Sequence, residues 1–183
     1  MPLDGNASSA ISLVESELFR EAMSRLGAPV TIVTTDGPAG RHGLTVSAIT
    51  SVSDTPPTVL VCLNRSNRSH EAFRQNGVMG ISILGRGHDG VAGIFASSRR
   101  TPEEKFAVGQ WRVGTTRAPL LDDAAVTLDC TVDDIRASGT HDVLFCTVRT
   151  IVISEQAAAG LAWCGRAFHH LPFAPDSLSQ NSA

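Results

Sequence analysis

The sequence has no apolar run near the ~20 residues that a membrane-spanning helix needs. Residues Met1 to Ser12 place no basic region before an apolar stretch, so no secretory signal is expected, and a cytoplasmic location follows as an expectation. An excess of charge of one sign is missing too: 15 Lys+Arg stand against 18 Asp+Glu, for a net charge of -3. That balance gives no electrostatic case for nucleic acid or an anionic membrane surface as a partner. Cysteine is sparse, and Cys62, Cys130, Cys146 and Cys164 form no CxxC pair. Neither a metal site nor a disulfide framework is expected, and each thiol reads as a small buried hydrophobe. Internal repeats and linkers are also absent. What remains is an ordinary globular composition, 42% hydrophobic and 18% charged over 183 residues, enough for one domain with a real core.

Along the chain, residues 1–14 are expected to be flexible, 15–171 to form the domain, and 172–183 to be a flexible tail. Ser12 and Glu15 have capping-box spacing, Leu18, Phe19, Ala22, Met23 and Leu26 recur at helical intervals, and Gly27 stops the run. The texture then turns β-like. Pro29–Thr35 and a second run over Gly43–Ser53 read as a hairpin around the turn cluster Asp36–Arg41. After Pro56-Pro57 come a short strand, Thr58–Leu63, a short helix over Asn67–Gln75, and a strand over Gly77–Leu84. Residues 85–125 mix short helices and turns. Ala125–Ile135 and Asp142–Ile153 are two longer strands around Ala137–Thr140, and Leu161–Cys164 is a last short one. Many short strands and few long helices predict a mainly β fold, a barrel with peripheral helices, and argue against a doubly wound parallel sheet. Trp111 and Trp163 read as core residues.

One motif misleads. Gly85-Arg-Gly-His-Asp-Gly90 is a literal GxGxxG after a strand, with Glu103 and Glu104 downstream. The dinucleotide fingerprint needs a second apolar strand ending at that acid. Here the polar stretch Ser97–Glu104 occupies its place, so the preferred reading is a Gly-rich loop.

The informative stretch is Leu44 to Ser69. On a strand, Thr45 and Ser47 share one face, and Val46 and Ala48 the other. Small residues let backbone approach a flat ring, and such a pocket needs apolar walls with a few placed hydrogen bonds. Asn64–Ser69 gathers hydroxyls, amides and arginines in one loop before a helix, either a phosphate site or a plain turn with a helix cap.

The pattern Ser47-Ala-Ile-Thr-Ser-Val-Ser53, then Pro56-Pro57, then Val61-Cys-Leu-Asn-Arg-Ser66 resembles the flavin reductase family. These are the small reductase components of two-component monooxygenases, with the FMN-binding split β-barrel fold, Greek-key-like with peripheral helices. The stretch Phe19–Gly27 resembles the family's opening helix, Lys105-Phe106 and Trp111 its middle, Gly139-Thr-His-Asp-Val-Leu-Phe145 its Gly-Asp-His motif, and Ala167-Phe-His-His-Leu171 its closing segment. The likeness covers about residues 16–171. It implies that Thr45, Ser47, Ala48, Ser51 and Ser53 line the isoalloxazine and ribityl chain, with Val46 and Val52 in the same run. Cys62, Leu63 and Asn64 continue the pocket, Ser66, Arg68 and Ser69 meet the phosphate, and Phe95 covers the flavin. His141 contacts the nicotinamide cofactor as the one catalytic candidate, with Phe168 and His169 at its end of the site. Thr140 stands where the motif usually carries Asp, and the nearest acid is Asp142.

The implied activity is direct hydride transfer from NADH or NADPH to FMN or FAD, with reduced flavin passed to a monooxygenase and a homodimer as the working unit. A corrin reductase passing electrons to a corrinoid acceptor is an alternative within the same chemistry. A non-catalytic flavin-binding module is the alternative of another class, and His141 and Phe168 argue against it.

Overall fold

The computed structural model describes residues 12–174. Of the segments expected to be flexible, 1–14 and 172–183, residues 1–11 and 175–183 lie outside the described residues.

Seven strands form the main sheet: β2 (Thr31–Thr35), β3 (His42–Val46), β4 (Ile49–Asp54), β5 (Pro57–Asn64), β6 (Val78–Ile83), β9 (Val126–Ser138) and β10 (His141–Ile153). Their order is β3-β2-β6-β9-β10-β5-β4, and every pairing is antiparallel. Flat, such a sheet would be about 29 Å wide. Yet β3 and β4, its two edges, are consecutive in the chain and separated only by Ser47 and Ala48, a step that reaches at most ~11 Å. The sheet must therefore curl until its edges meet, which makes it a barrel whose split lies at Ser47-Ala48. The Cys62 amide donates to the Ala48 carbonyl at 3.0 Å and pins the crossing to β5. The single strand expected over Gly43–Ser53 is thus two strands on opposite edges. The β-branched texture on both sides hides the corner, because Ser47-Ala48 carries no Gly or Pro to mark it.

The long hairpin β9–β10 supplies the middle of the sheet. Irregularities between Phe145 and Cys146 and between Val148 and Thr150 let it bend with the barrel, and Gly139 turns it at φ 54°. The expected β2–β3 hairpin is present. The five residues of β2 are all buried because both faces are covered. Val33 points into the barrel core with Leu63, Phe73, Ile81 and Leu144, while Ile32 points into a second core with Leu84, Ala92, Phe95 and Leu161.

That second core is roofed by α3 (Asp89–Ala96) and by a three-stranded sheet of β1 (Ala28–Pro29), β11 (Ala159–Cys164) and β12 (Ala167–Pro172). A small sheet of β7 (Trp111–Val113) and β8 (Pro119–Leu121) and the helices α1 (Ser16–Ser24), α2 (His70–Asn76) and α4 (Pro102–Phe106) complete the fold. Strand β12 goes unforeseen because Phe-His-His-Leu has no clean alternation. The Ser12–Glu15 capping box does not form. Glu15 is itself the extended N-cap of α1, so the helix begins one turn later than that spacing implies. Phe95, Phe106 and Trp111 pack with ring centroids 4.9–5.3 Å apart, which sets the partly buried Trp111 against the edge of the second core. The Gly-rich 85–90 segment is a loop over 85–88 that runs into the first turn of α3, with Gly85 bridged to Gly160 of β11, and no parallel strand follows it among the described residues. Cys130 and Cys146 are buried, and burial pushes both thiols up, Cys146 to about 12. Cys62 and Cys164 are half-buried, and all four thiols are free.

Candidate functional site

Three cavities share residues and form one groove along β3. The first, about 310 Å³, joins the second, about 200 Å³, at Ala96; the second joins the third, about 670 Å³, at Ser47 and Trp163.

The first cavity is cationic. Arg68, Arg99, Arg100, Lys105 and His42 line it together with Ser66, Ser69, Ser97 and Ser98, and no acidic residue among those described does. Arg100 is paired with Glu104 at 3.3 Å, whereas Arg68 and Arg99 have no ion-pair partner among the described residues. Two asparagines shape the loop before α2. The Asn64 Oδ1 accepts from the Ser66 amide at 2.9 Å and its hydroxyl at 2.8 Å, and the Asn67 Oδ1 accepts from the Ser69 amide at 2.9 Å. Both carboxamides are thereby engaged in holding the loop, as such side chains do in turns. Lys105 is buried on the cavity floor, where Nζ donates to the Gly43 and Phe95 carbonyls at 3.1 and 3.0 Å, and burial lowers its pKa. An ammonium has three N–H donors, which leaves one for the cavity. Gly43 lets the Phe95 ring pack close against β3, since a Cβ there would stand 2.6 Å from that ring. A phosphate, dianionic and rich in acceptors, suits this donor set.

The second cavity is apolar and bounded by small residues. Val30, Val46, Ser47, Ala92 and Ala96 line it with Thr45, Trp163 and Phe168. The Thr45 hydroxyl donates to the Ala92 carbonyl at 2.7 Å, tying α3 to β3. Trp163 and Phe168 meet edge to face at 5.0 Å and form an aromatic wall, a surface suited to a flat heterocycle. Trp163 is therefore a groove residue as well as a core neighbour, a correction to its expected role. The third cavity is open and lies between α1 and the crossing Ser47-Ala48, with Arg20, Met23 and Arg166 on its rim.

Of the sequence-predicted residues, the groove gathers Thr45, Val46, Ser47, Ala48, Ser66, Arg68, Ser69, Phe95 and Phe168. Phe95 departs from its expected role, because its ring is fully buried and supports the floor instead of covering a ligand. The remaining residues line none of the three cavities. Ser51, Val52 and Ser53 are exposed on β4, beyond the crossing, because the corner at Ser47-Ala48 carries them away. Leu63 is buried in the barrel core, and Cys62, its neighbour on β5, points to the opposite face. Asn64 shapes the loop before α2 through its bonds from Ser66. His169 is exposed, with Nε2 3.0 Å from the Cys164 carbonyl. His141 opens β10 opposite Asn64, with Nδ1 2.9 Å from the Thr140 hydroxyl.

Sequence reasoning misses His42, Arg99, Arg100 and Lys105. There Lys105-Phe106 enters only as a family feature, and Arg99-Arg100 only as part of a polar loop. It also misses the buried carboxylate of Asp142, which His70 and Arg74 hold from α2.

A model of the flavin reductase like domain family matches residues 23–172. The chain belongs to the flavin reductase family. An FMN reductase (NADH) RutF 1 of Methylorubrum extorquens is 48% identical over 172 residues, covering 93% of this chain and 84% of the relative. The FMN reductase (NADH) RutF of Pseudomonas syringae pv. syringae is 46% identical over 163 residues, 88% of this chain and 90% of the relative. Among solved structures, the NADH:FAD oxidoreductase SgcE6 of Streptomyces globisporus, in complex with NAD and FAD fragments, superposes with a TM-score of 0.79 at 27% identity, covering 91% of this chain and 99% of that one. BorF, the flavin reductase component of a bacterial two-component tryptophan halogenase, gives 0.81 at 27% identity over 87% and 100% of the two chains. The split barrel and the oxidoreductase class expected from the sequence both hold.

Proposed function

We propose that this flavin reductase transfers hydride from NADH to FMN in the groove along β3, and that the reduced flavin serves a separate monooxygenase component. The carrying observation is the continuity of an acid-free cationic cavity with an apolar, aromatic-walled one. The relatives' names support NADH and FMN as the pair, and the structural neighbours include reductase components of two-component systems.

In this reading Ser66, Arg68 and Ser69 hold the phosphate, with Lys105 beneath it. Thr45 to Ser47 and Ala92 present a close, small-residue surface to the ring. Trp163 and Phe168 exclude water from the adjacent face, and exclusion strengthens the polar contacts that remain. The flavin, when bound, supplies the two-electron acceptor chemistry. The protein's contribution is orientation, which alone accounts for several kcal/mol of barrier in well-aligned reactions, about 7 or more. His141, beside the phosphate loop, orients the dinucleotide and transfers no proton. The functional unit is residues 15–171, and it works as a homodimer in the cytoplasm. No helix among the described residues is long and apolar enough to cross a membrane.

The test is anaerobic NADH oxidation with FMN, comparing the wild type with Arg68→Ala. Flavin-dependent oxidation in the wild type, with a raised KM for FMN in the variant, is expected. A protein that binds FMN and oxidises neither NADH nor NADPH is a binding module instead.

A further inference from the structure

We infer that Asp142 is a positioning residue: it fixes the end of the loop Asn64–Ser69 against β10 and so sets the preference for a phosphorylated flavin. The inference rests on the reading that this loop holds the flavin phosphate.

On β10 the buried positions alternate as Asp142, Leu144 and Cys146, so Asp142 occupies a core-facing place and is 2% exposed. A carboxylate there is costly unless it is held, and an apolar side chain of similar volume often serves the fold as well or better. This one is held from three directions. Its Oδ2 is 3.0 Å from Nε2 of His70 and 3.1 Å from Nη1 of Arg74, residues one turn apart on α2. Its Oδ1 faces Nε of Arg65 at 4.0 Å.

Those partners bracket the loop. Arg65 lies at its start, and His70 follows its last residue. The Arg65 amide donates to the Thr140 carbonyl at 3.0 Å, and the Arg65 guanidinium donates to the Gly139 carbonyl. The carboxylate therefore holds α2 at the end of the loop, while Arg65, 4.0 Å from it, ties the start to the turn that precedes His141. Ser66, Arg68 and Ser69, the residues that face the cationic cavity, lie between the two fixed ends. Freed from Asp142, the loop keeps its own asparagine turns and the Arg65 bonds to the turn, but its far end, where α2 begins, loses its tie to β10.

The prediction is specific to phosphate. KM and kcat are measured for the wild type and Asp142→Asn with FMN and with riboflavin, which has the same ring and no phosphate. The wild type should favour FMN. In the variant the KM for FMN should rise about tenfold, with kcat and the riboflavin KM within about twofold of the wild type, so that the preference collapses. A variant that keeps the wild-type preference, or loses kcat equally with both flavins, overturns the positioning role and leaves the phosphate reading standing. A wild type that handles riboflavin as well as FMN overturns the phosphate reading and this inference with it. If Asp142→Asn does not fold, Arg74→Met decides by the same measure. Arg74 is half-exposed, and its loss removes one of the two α2 ties to the carboxylate while the Arg65 bonds to the turn stay in place.

Discussion

At the scale of single residues, the site depends on charged groups placed where water is scarce. Lys105 is the clearest case, an ammonium that lines the cationic cavity and satisfies two backbone carbonyls. Replacing it with Met keeps the apolar stem and removes the donors, leaving the Gly43 and Phe95 carbonyls buried without a partner. The expected loss is about 1–3 kcal/mol of stability, read from a denaturant midpoint, together with weaker FMN binding. Asp142 makes a prediction of opposite character. Burial raises its pKa, but hydrogen bonds from His70 and Arg74 outweigh burial and hold the carboxyl below its ordinary value. A carboxyl depressed in the folded state contributes stability that is fully present above the unfolded value, about 3.9, and is lost as the pH falls through the folded value. Thermal melts should therefore show Asp142→Asn below the wild type at pH 6, with the gap closing as both are acidified below about pH 4. A gap that stays constant into acid would show that the carboxylate's ionisation contributes nothing to folding.

At the scale of elements, the close fit of strands limits what the sequence tolerates. Gly80 of β6 lies under β8, and a Cβ there would meet the Pro119 carbonyl and come within 2.5 Å of the Thr34 hydroxyl. Neither can retreat cheaply, since Thr34 is buried in β2 and bonded to both the Gly80 and Pro119 carbonyls. Gly80→Ala should cost about 1–3 kcal/mol in a denaturation experiment, whereas Gly90→Ala, with open space at its Cβ, should cost less. The same contrast explains what was legible in the sequence. Hairpins, the β9–β10 pair and the short helices follow local periodicity and turn residues, and they emerge from the chain directly. The corner at Ser47-Ala48 does not, because its cause is closure of a sheet whose edges are brought together by strands far away in sequence. That corner also explains why the groove gathers Thr45 to Ala48 while Ser51 to Ser53 fall outside it. Arg99, Arg100 and Lys105 join the site only through the packing of α3 and α4 on β3, a tertiary fact that no spacing rule records.

At the scale of the whole molecule, α1 poses a problem that the single chain does not solve. It has nine residues, shorter than the ~12–15 at which even good helix formers are marginal alone, and it buries none of them. Leu18, Phe19, Met23 and Leu26 are 63, 58, 46 and 63% exposed, although their spacing is that of a packed face. Polar ties secure it instead: Glu21 to Arg166 at 2.9 Å, and the Gly165 amide to the Ser24 carbonyl at 2.7 Å. A second copy of the chain covering this face would supply the missing contacts. It would also wall the open third cavity, which Arg20 and Met23 border. The proposed homodimer should therefore elute with twice the 19.3 kDa mass of the chain in light scattering. The double variant Phe19→Asp, Leu26→Asp alters only exposed positions, so its barrel should fold while its mass falls to that of one chain. Its KM for FMN should rise at the same time, because the groove has lost its outer wall. A monomeric wild type with a stable α1 would refute this account of the helix. A monomeric variant with unchanged KM would separate assembly from the site and place the whole binding surface within one chain.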